Sequence, residues 1–114
     1  MPLSDSERQQ IDQLFSAYCA GKIPPALRDR LQVGYRVRGN EVTLFESRPL
    51  QSNPEQWISN KIAQFCKESA AGDWRLFRFD GNGNWRAYTP LPRHRDLAVL
   101  LAAVENNETG EFWG

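Results

Sequence analysis

The sequence contains little of the chemistry on which most enzymes and metal sites depend. Its 114 residues include one histidine, His94, and two cysteines, Cys19 and Cys66, without CxxC spacing. These residues form no known metal-ligand pattern, so we predict no metal site and no cofactor. Cys66 with His94 as its base could supply a nucleophile, but neither lies in an activating sequence context. We therefore predict no catalytic residues, while the question of enzyme activity stays open.

Long apolar runs are also absent. No segment approaches the roughly 18 consecutive apolar residues that a membrane-spanning helix needs. The N-terminal stretch MPLSDSERQQ lacks the basic and apolar regions of a secretory signal. We expect a cytoplasmic protein without membrane association, in which both cysteines are free thiols.

Length and charge indicate a small globular protein with an uneven charge distribution. A chain of 114 residues predicts a single domain over residues 1–114. The formal net charge is zero, but residues 1–21 carry −2, residues 22–95 carry +6 and residues 96–114 carry −4. The basic centre is compatible with a binding surface for an acidic partner, although the solvated faces of ordinary helices and strands would give the same bias.

The strongest local signal lies in residues 74–90, WRLFRFDGNGNWRAYTP. Two aromatic runs flank a cluster of Gly and Asn, which predicts a β-hairpin because these residues suit a tight reversal. A four-residue loop would pair Asp80 with Trp85 and Arg78 with Ala87. The same alternation places Arg78 on one side of the hairpin with Leu76.

A second hairpin is predicted upstream, around the two-residue turn Gly39-Asn40. Apolar residues alternate with polar ones on both sides of this turn, so the apolar set falls on one face. The expected pairs are Arg38 with Glu41, Val37 with Val42, and Tyr35 with Leu44. The opposite face carries Arg36, Arg38, Thr43 and Phe45.

Two helices are predicted at the ends of the chain. Ser4 and Glu7 form a capping box for a helix over residues 5–20 that stops at Gly21. Asp96 is the N-cap of a leucine-rich helix that ends at residues 106–107. The aromatic tail, Phe112 and Trp113, is expected to pack back onto the body.

The segment between the hairpins is ambiguous. Pro54 favours a short helix, and residues 62–68 fit either a helix or a strand. We favour a strand because it would join the two hairpins and bury their edges. The predicted fold class is therefore α+β: an antiparallel meander of about five strands, with an N-terminal and a C-terminal helix packed on one face.

Arginine interleaved with aromatic residues on strands is the pattern most suggestive of a binding surface. Sheets that bind single-stranded nucleic acid stack bases on aromatic side chains and contact phosphates with guanidinium groups. The alternative is that the aromatics belong to the core and the arginines form its solvated rim, which the zero net charge and the lack of an RNP-type motif favour. The candidate partner-binding residues are Arg36, Arg38, Phe45, Arg78, Trp85 and Arg86.

The chain also resembles a known family. The resemblance rests on Trp74-Arg75-Leu76-Phe77, Asp80, Asn82-Gly83-Asn84-Trp85, Tyr88-x-Pro90 and Gly110-x-Phe112-Trp113-Gly114. Together they are similar to a family of small bacterial proteins known only as a domain of unknown function, most strongly from Glu46 to the end. The resemblance implies a cytosolic bacterial protein and an extended segment at residues 62–67, and it brings no activity, cofactor or catalytic residue. Gly83-Asn84 stands where Gly-Lys or Gly-Arg is commoner in that family.

Three functional hypotheses follow. The first is a non-catalytic interaction module that docks a protein or a nucleic acid on the sheet, which requires Arg36, Arg38 and Arg78 to lie exposed on one surface. The second is a small enzyme or ligand carrier with a pocket between sheet and helices, lined by Trp57, Trp74, Trp85 and Cys66. The third is a homodimer formed through an exposed sheet edge.

Overall fold

The computed structural model describes residues 3–68 and 72–113, in which two α-helices accompany one antiparallel sheet. In chain order the elements are α1 (Asp5–Lys22), β1 (Gln32–Arg38), β2 (Glu41–Pro49), β3 (Trp57–Lys67), β4 (Trp74–Phe79), β5 (Trp85–Ala87), β6 (Arg93–His94) and α2 (Leu97–Asn106). Strands β1 to β5 pair in chain order, and the two-residue β6 pairs with β4 as well. The predicted α+β class and antiparallel meander are confirmed.

Helix α1 begins at the predicted capping box but ends later than expected. The Ser4 hydroxyl accepts a hydrogen bond from the Glu7 backbone N–H at 3.1 Å, and the Glu7 carboxylate accepts one from the Ser4 N–H at 3.1 Å. The prediction that Gly21 stops the helix is wrong, because α1 continues to Lys22. It ends where Ile23 adopts an extended φ of −114°, the conformation that the following proline imposes.

The first hairpin has the predicted register. Arg38 lies opposite Glu41, and Tyr35 lies opposite Leu44. Gly39 has a φ of 59° whereas Asn40 does not have a positive φ. A type II′ turn requires this arrangement, with glycine at its first central position.

Strand β3 is longer than predicted, and it contains a bulge. The helix expected from Pro54 is wrong: these residues form a turn in which the Gln56 N–H donates to the Asn53 carbonyl at 2.9 Å. The strand predicted over residues 62–68 is confirmed, but it starts earlier, at Trp57, and ends at Lys67. Leu44 pairs with Ala63 but Phe45 pairs with Lys61, so Ile62 is an extra residue between them.

The hairpin between β4 and β5 forms as predicted, but its register differs by one residue. Trp85 lies opposite Phe79 rather than Asp80, and Arg78 lies opposite Arg86 rather than Ala87. The Asp80 carboxylate accepts hydrogen bonds from the backbone N–H groups of Asn82 at 2.8 Å and Asn84 at 3.1 Å. Asp80 therefore belongs to a five-residue loop, which its backbone N–H closes by donating to the Asn84 carbonyl at 3.0 Å while its side chain caps the turn.

Both helices pack against one side of the sheet, which we call the covered face. Phe15 of α1 is fully buried and lies 5.2 Å from Phe65 and 5.5 Å from Tyr35 between ring centroids. The fully buried side chains of the core are Phe15, Phe65, Ile11, Leu44, Leu76, Leu100, Val42 and Val104. They come from α1, α2 and the central strands, so a single hydrophobic core joins both helices to the sheet.

The C-terminal tail folds back as predicted. Asn107 ends α2 with a φ of 48°, and its side-chain oxygen accepts hydrogen bonds from the N–H groups of Phe112 and Trp113. Phe112 is buried against Tyr88, with 4.8 Å between ring centroids. The tail thus closes one end of the core.

Candidate functional site: the bare face of the sheet

The opposite side of the sheet, which we call the bare face, carries a shallow groove of about 240 Å³. Side chains from β1, β2, β3 and β5 line it. They are Arg36, Arg38, Glu41, Thr43, Phe45, Ser59, Lys61, Gln64 and Trp85. Helices α1 and α2 lie across the sheet from this groove, because their buried residues belong to the core of the covered face.

Three cations dominate the charge of the groove. Arg36, Arg38 and Lys61 are exposed, and among the described residues none of them forms an ion pair. Glu41 is the one carboxylate in the lining, and it accepts a hydrogen bond from the Gln64 amide at 3.3 Å. The groove is therefore electropositive, with guanidinium groups free to contact an anion.

Aromatic rings form the floor between these cations. The Phe45 ring lies across β1 above Gly34, so close that a Cβ atom at Gly34 would be 3.0 Å from Phe45 Cζ. Trp85 packs edge-to-face on Phe79 with 5.1 Å between centroids, and Lys61 Nζ lies 5.5 Å from the Phe79 centroid. Phe45 and Trp85 are only half-buried. Their ring surfaces are held in place by neighbours yet remain accessible to a ligand.

The structure divides the six predicted partner-binding residues between the two faces. Arg36, Arg38, Phe45 and Trp85 meet in the groove. Arg78 lies two residues after buried Leu76 on β4, so both side chains point to the covered face. Arg78 forms an ion pair there with Glu111. The requirement that Arg78 share one exposed surface with Arg36 and Arg38 is therefore not met.

Arg86 also lies away from the groove. It sits directly opposite Arg78, so it shares that side of the sheet, and its Nε donates to the Asp80 carboxylate at 2.9 Å. The hydrogen bond from the Asn82 N–H and the contact with Arg86 hold the pKa of Asp80 below its usual value. Arg86 is therefore engaged with the turn.

Lys61 joins the groove although it is absent from the predicted set. The helix predicted from Pro54 does not assign Lys61 to either face of the sheet. In the structure, the bulge at Ile62 reverses the alternation of β3, so that Lys61 and Ser59 point to the bare face while Ala63 and Phe65 point to the core. Residues 57–61, WISNK, do not alternate apolar with polar residues, so no local signal indicates this placement.

The paired ends of β2 and β3 form an arm that continues the bare face beyond the groove. β3 pairs with β4 only from Ala63 to Lys67, whereas it pairs with β2 as far as Trp57. Trp57 is 37% exposed. It lies two and four residues before Ser59 and Lys61 on β3, so its indole points to the bare face as their side chains do. The Ser59 hydroxyl at the end of the groove nearest the indole lies 2.8 Å from that of Ser47.

The pocket required for an enzyme or carrier does not assemble from the predicted residues. Trp74 is buried in the core of the covered face, whereas Trp85 lines the groove on the bare face, so one pocket cannot hold both side chains. Burial raises the pKa of the Cys66 thiol to about 11, which leaves it protonated at neutral pH. His94 Nδ1 accepts the Asp96 N–H at 2.9 Å and is occupied in that turn.

Larger clefts exist on the helix side, and one of them contains the ion pair of Glu7 with Lys67. A cleft of about 420 Å³ lies between the N-terminal ends of both helices, beside Lys67 and Trp74. Lys67 Nζ lies 2.6 Å from the Glu7 carboxylate, and this hydrogen bond together with those from Ser4 lowers the pKa of Glu7 to about 2. No group of three or more potential metal ligands occurs among residues 3–68 and 72–113.

The fold and the groove together define a small α+β protein with one helix-covered and one bare, electropositive sheet face. The profile of the family described as "Domain of unknown function (DUF3024)" matches residues 3–114, and the chain belongs to that family. No curated protein and no solved structure matches the chain. In the described part of the chain, no helix is long and apolar enough to cross a membrane.

Proposed function

We propose that this chain is a non-catalytic binding module that holds an extended, negatively charged partner on the bare face of its sheet. The observation that carries the proposal is the meeting of Arg36, Arg38 and Lys61 in one groove without carboxylate partners among the described residues. Three unpaired cations on one surface favour association with an anion.

The rest of the charge distribution supports the same surface. Arg78, Arg86 and Lys67 are engaged in ion pairs elsewhere, whereas Arg36, Arg38 and Lys61 form a cluster of cations without ion pairs among the described residues. The rigid sheet beneath the groove fixes these side chains relative to one another. A partner would therefore bind without a large rearrangement of the backbone.

The test is retention on heparin, a polyanion without bases or a peptide backbone. We expect the wild type to be retained at low salt and the R36Q/R38Q variant to elute at clearly lower salt. The matched control is R8Q/R95Q, which removes two exposed arginines from the helix layer and makes the same change in net charge.

The comparison of the two variants decides the proposal. Equal elution of R36Q/R38Q and R8Q/R95Q, or no retention of the wild type at low salt, would show that the groove is not a polyanion site. Thermal unfolding of both variants checks that they fold, and we expect stability changes within about 0.5 kcal/mol because these side chains are exposed.

A further inference from the structure

We infer that the partner of the bare face is a single-stranded nucleic acid, whose bases stack on Trp85 and Phe45 while its phosphates contact Arg36, Arg38 and Lys61. This inference rests on the proposed function and adds the chemical class of the partner. Cations alone would suit any polyanion. The half-buried rings set among them are the feature that a nucleic acid uses and an acidic peptide does not.

The rings are positioned for stacking by contacts within the protein. Phe45 is held over Gly34, which has no side chain to block it, and Trp85 is held by its edge-to-face contact with Phe79. Neither ring therefore needs to become ordered when a base binds, which lowers the entropic cost of binding.

The shape of the bare face favours a single strand over a duplex. A duplex keeps its bases stacked inside, and direct readout places a helix or a two-stranded ribbon in the major groove. Both helices of this protein lie on the covered face, and the groove is a shallow depression in the sheet itself. Bases can reach Trp85 and Phe45 only if they are unpaired.

The arm extends the path of the strand. Trp57 points to the same side as Lys61, four residues or about 13 Å further along β3. Its exposed indole is a third stacking surface, and the hydrogen-bonded pair of Ser47 and Ser59 hydroxyls beside it can donate one hydrogen bond to a phosphate or sugar oxygen. A strand long enough to leave the groove along β3 would therefore contact Trp57.

The experiment is fluorescence anisotropy with labelled oligo-dT and oligo-rU of about twelve nucleotides, compared with a duplex of equal length and with poly-glutamate. We expect W85A to weaken single-strand binding roughly ten- to a hundredfold, since one base stack is worth about 1–3 kcal/mol, while its elution from heparin is unchanged. W85F should keep most of the affinity because phenylalanine also stacks. Replacing both Arg36 and Arg38 should make the slope of log K against log salt shallower by about 1.4.

The length dependence tests the arm. We expect W57A to weaken binding of the oligomer of about twelve nucleotides but not of one of about four nucleotides, which fits within the groove. An equal effect on both lengths, or no effect on either, would show that the strand does not follow β3.

The outcomes separate this inference from the proposed function. The single-stranded partner is wrong if W85A binds oligo-dT as tightly as the wild type does, or if poly-glutamate or the duplex binds equally well. Retention on heparin through Arg36 and Arg38 would then leave the polyanion module in place. If retention on heparin is also lost or independent of these arginines, both proposals fail.

Discussion

The two faces of the sheet share the same strands but differ in what their side chains do. On the covered face, Val42, Leu44, Phe65 and Leu76 are fully buried under the helices. On the bare face, alternate positions of the same strands hold arginine, lysine and half-exposed aromatic rings. Aromatic residues occur on both faces, and only those on the covered face are needed to close the core. Under the proposed function, the partly solvated aromatic rings beside the unpaired cations serve a partner rather than the core.

The largest expected difference between the faces is in stability. Phe15→Ala should lower the free energy of unfolding by about 3–5 kcal/mol, because it opens a cavity between Tyr35 and Phe65 at a fully buried position. Phe45→Ala, the matched change on the bare face, should cost about 1 kcal/mol or less. Urea denaturation measures both. Similar losses would mean that Phe45 is a core residue and would weaken the case for a binding role.

Low pH should destabilise the fold on the covered side of the molecule, because it protonates Glu7. Its pKa of about 2 lies below the ordinary value of 4.5, so the contact with Lys67 stabilises the fold above about pH 4.5, and this stabilisation is lost as the pH falls towards 2. Both side chains are partly exposed, so the effect is about 1 kcal/mol. The difference in unfolding free energy between wild type and E7Q should be constant above pH 5 and vanish near pH 2. A difference that does not change with pH would contradict the ion-pair assignment.

The smallest expected change in stability is at Gly34. A Cβ atom there would contact the far end of the Phe45 side chain at 3.0 Å, and a shift of this ring by a few tenths of an ångström would relieve the contact. Gly34→Ala should therefore alter stability by less than about 1 kcal/mol, since lower chain entropy in the unfolded state offsets the strain. It should nevertheless weaken oligonucleotide binding by displacing Phe45. In the F45A variant, adding Gly34→Ala should not weaken oligonucleotide binding any further. If it does, the effect of Gly34→Ala on binding does not act through the Phe45 ring.

Several elements could be predicted because their signals are local. The capping box of α1, the Asp96 cap of α2 and the turn at Gly39-Asn40 depend on residues within a few positions of one another. The strand over residues 62–68 is predicted because two hairpins need a strand to join them. Its start at Trp57 was hidden by Pro54, which indicated a helix but lies in a turn.

The candidate site was predictable only in part, because which face a side chain occupies depends on register. In the predicted pairing, Trp85 shares the side of Arg78, and Arg86 shares that of Phe79. The observed one-residue shift exchanges them, placing Trp85 in the groove and Arg86 on the side of Arg78. The hydrogen bonds from Asn82 and Asn84 to Asp80 fix that shift, and no periodicity in the sequence reports them.

The order of helices and strands, their caps and the alternation of apolar with charged residues follow from the sequence, because each depends on neighbours along the chain. The groove itself does not. Arg36, Phe45, Lys61 and Trp85 come from four strands, and their meeting depends on a bulge at Ile62 and a shifted hairpin that are fixed by packing between strands. A single residue of slip sends a side chain to the other face of a sheet, so the surface available to a partner is set by contacts that are distant in sequence.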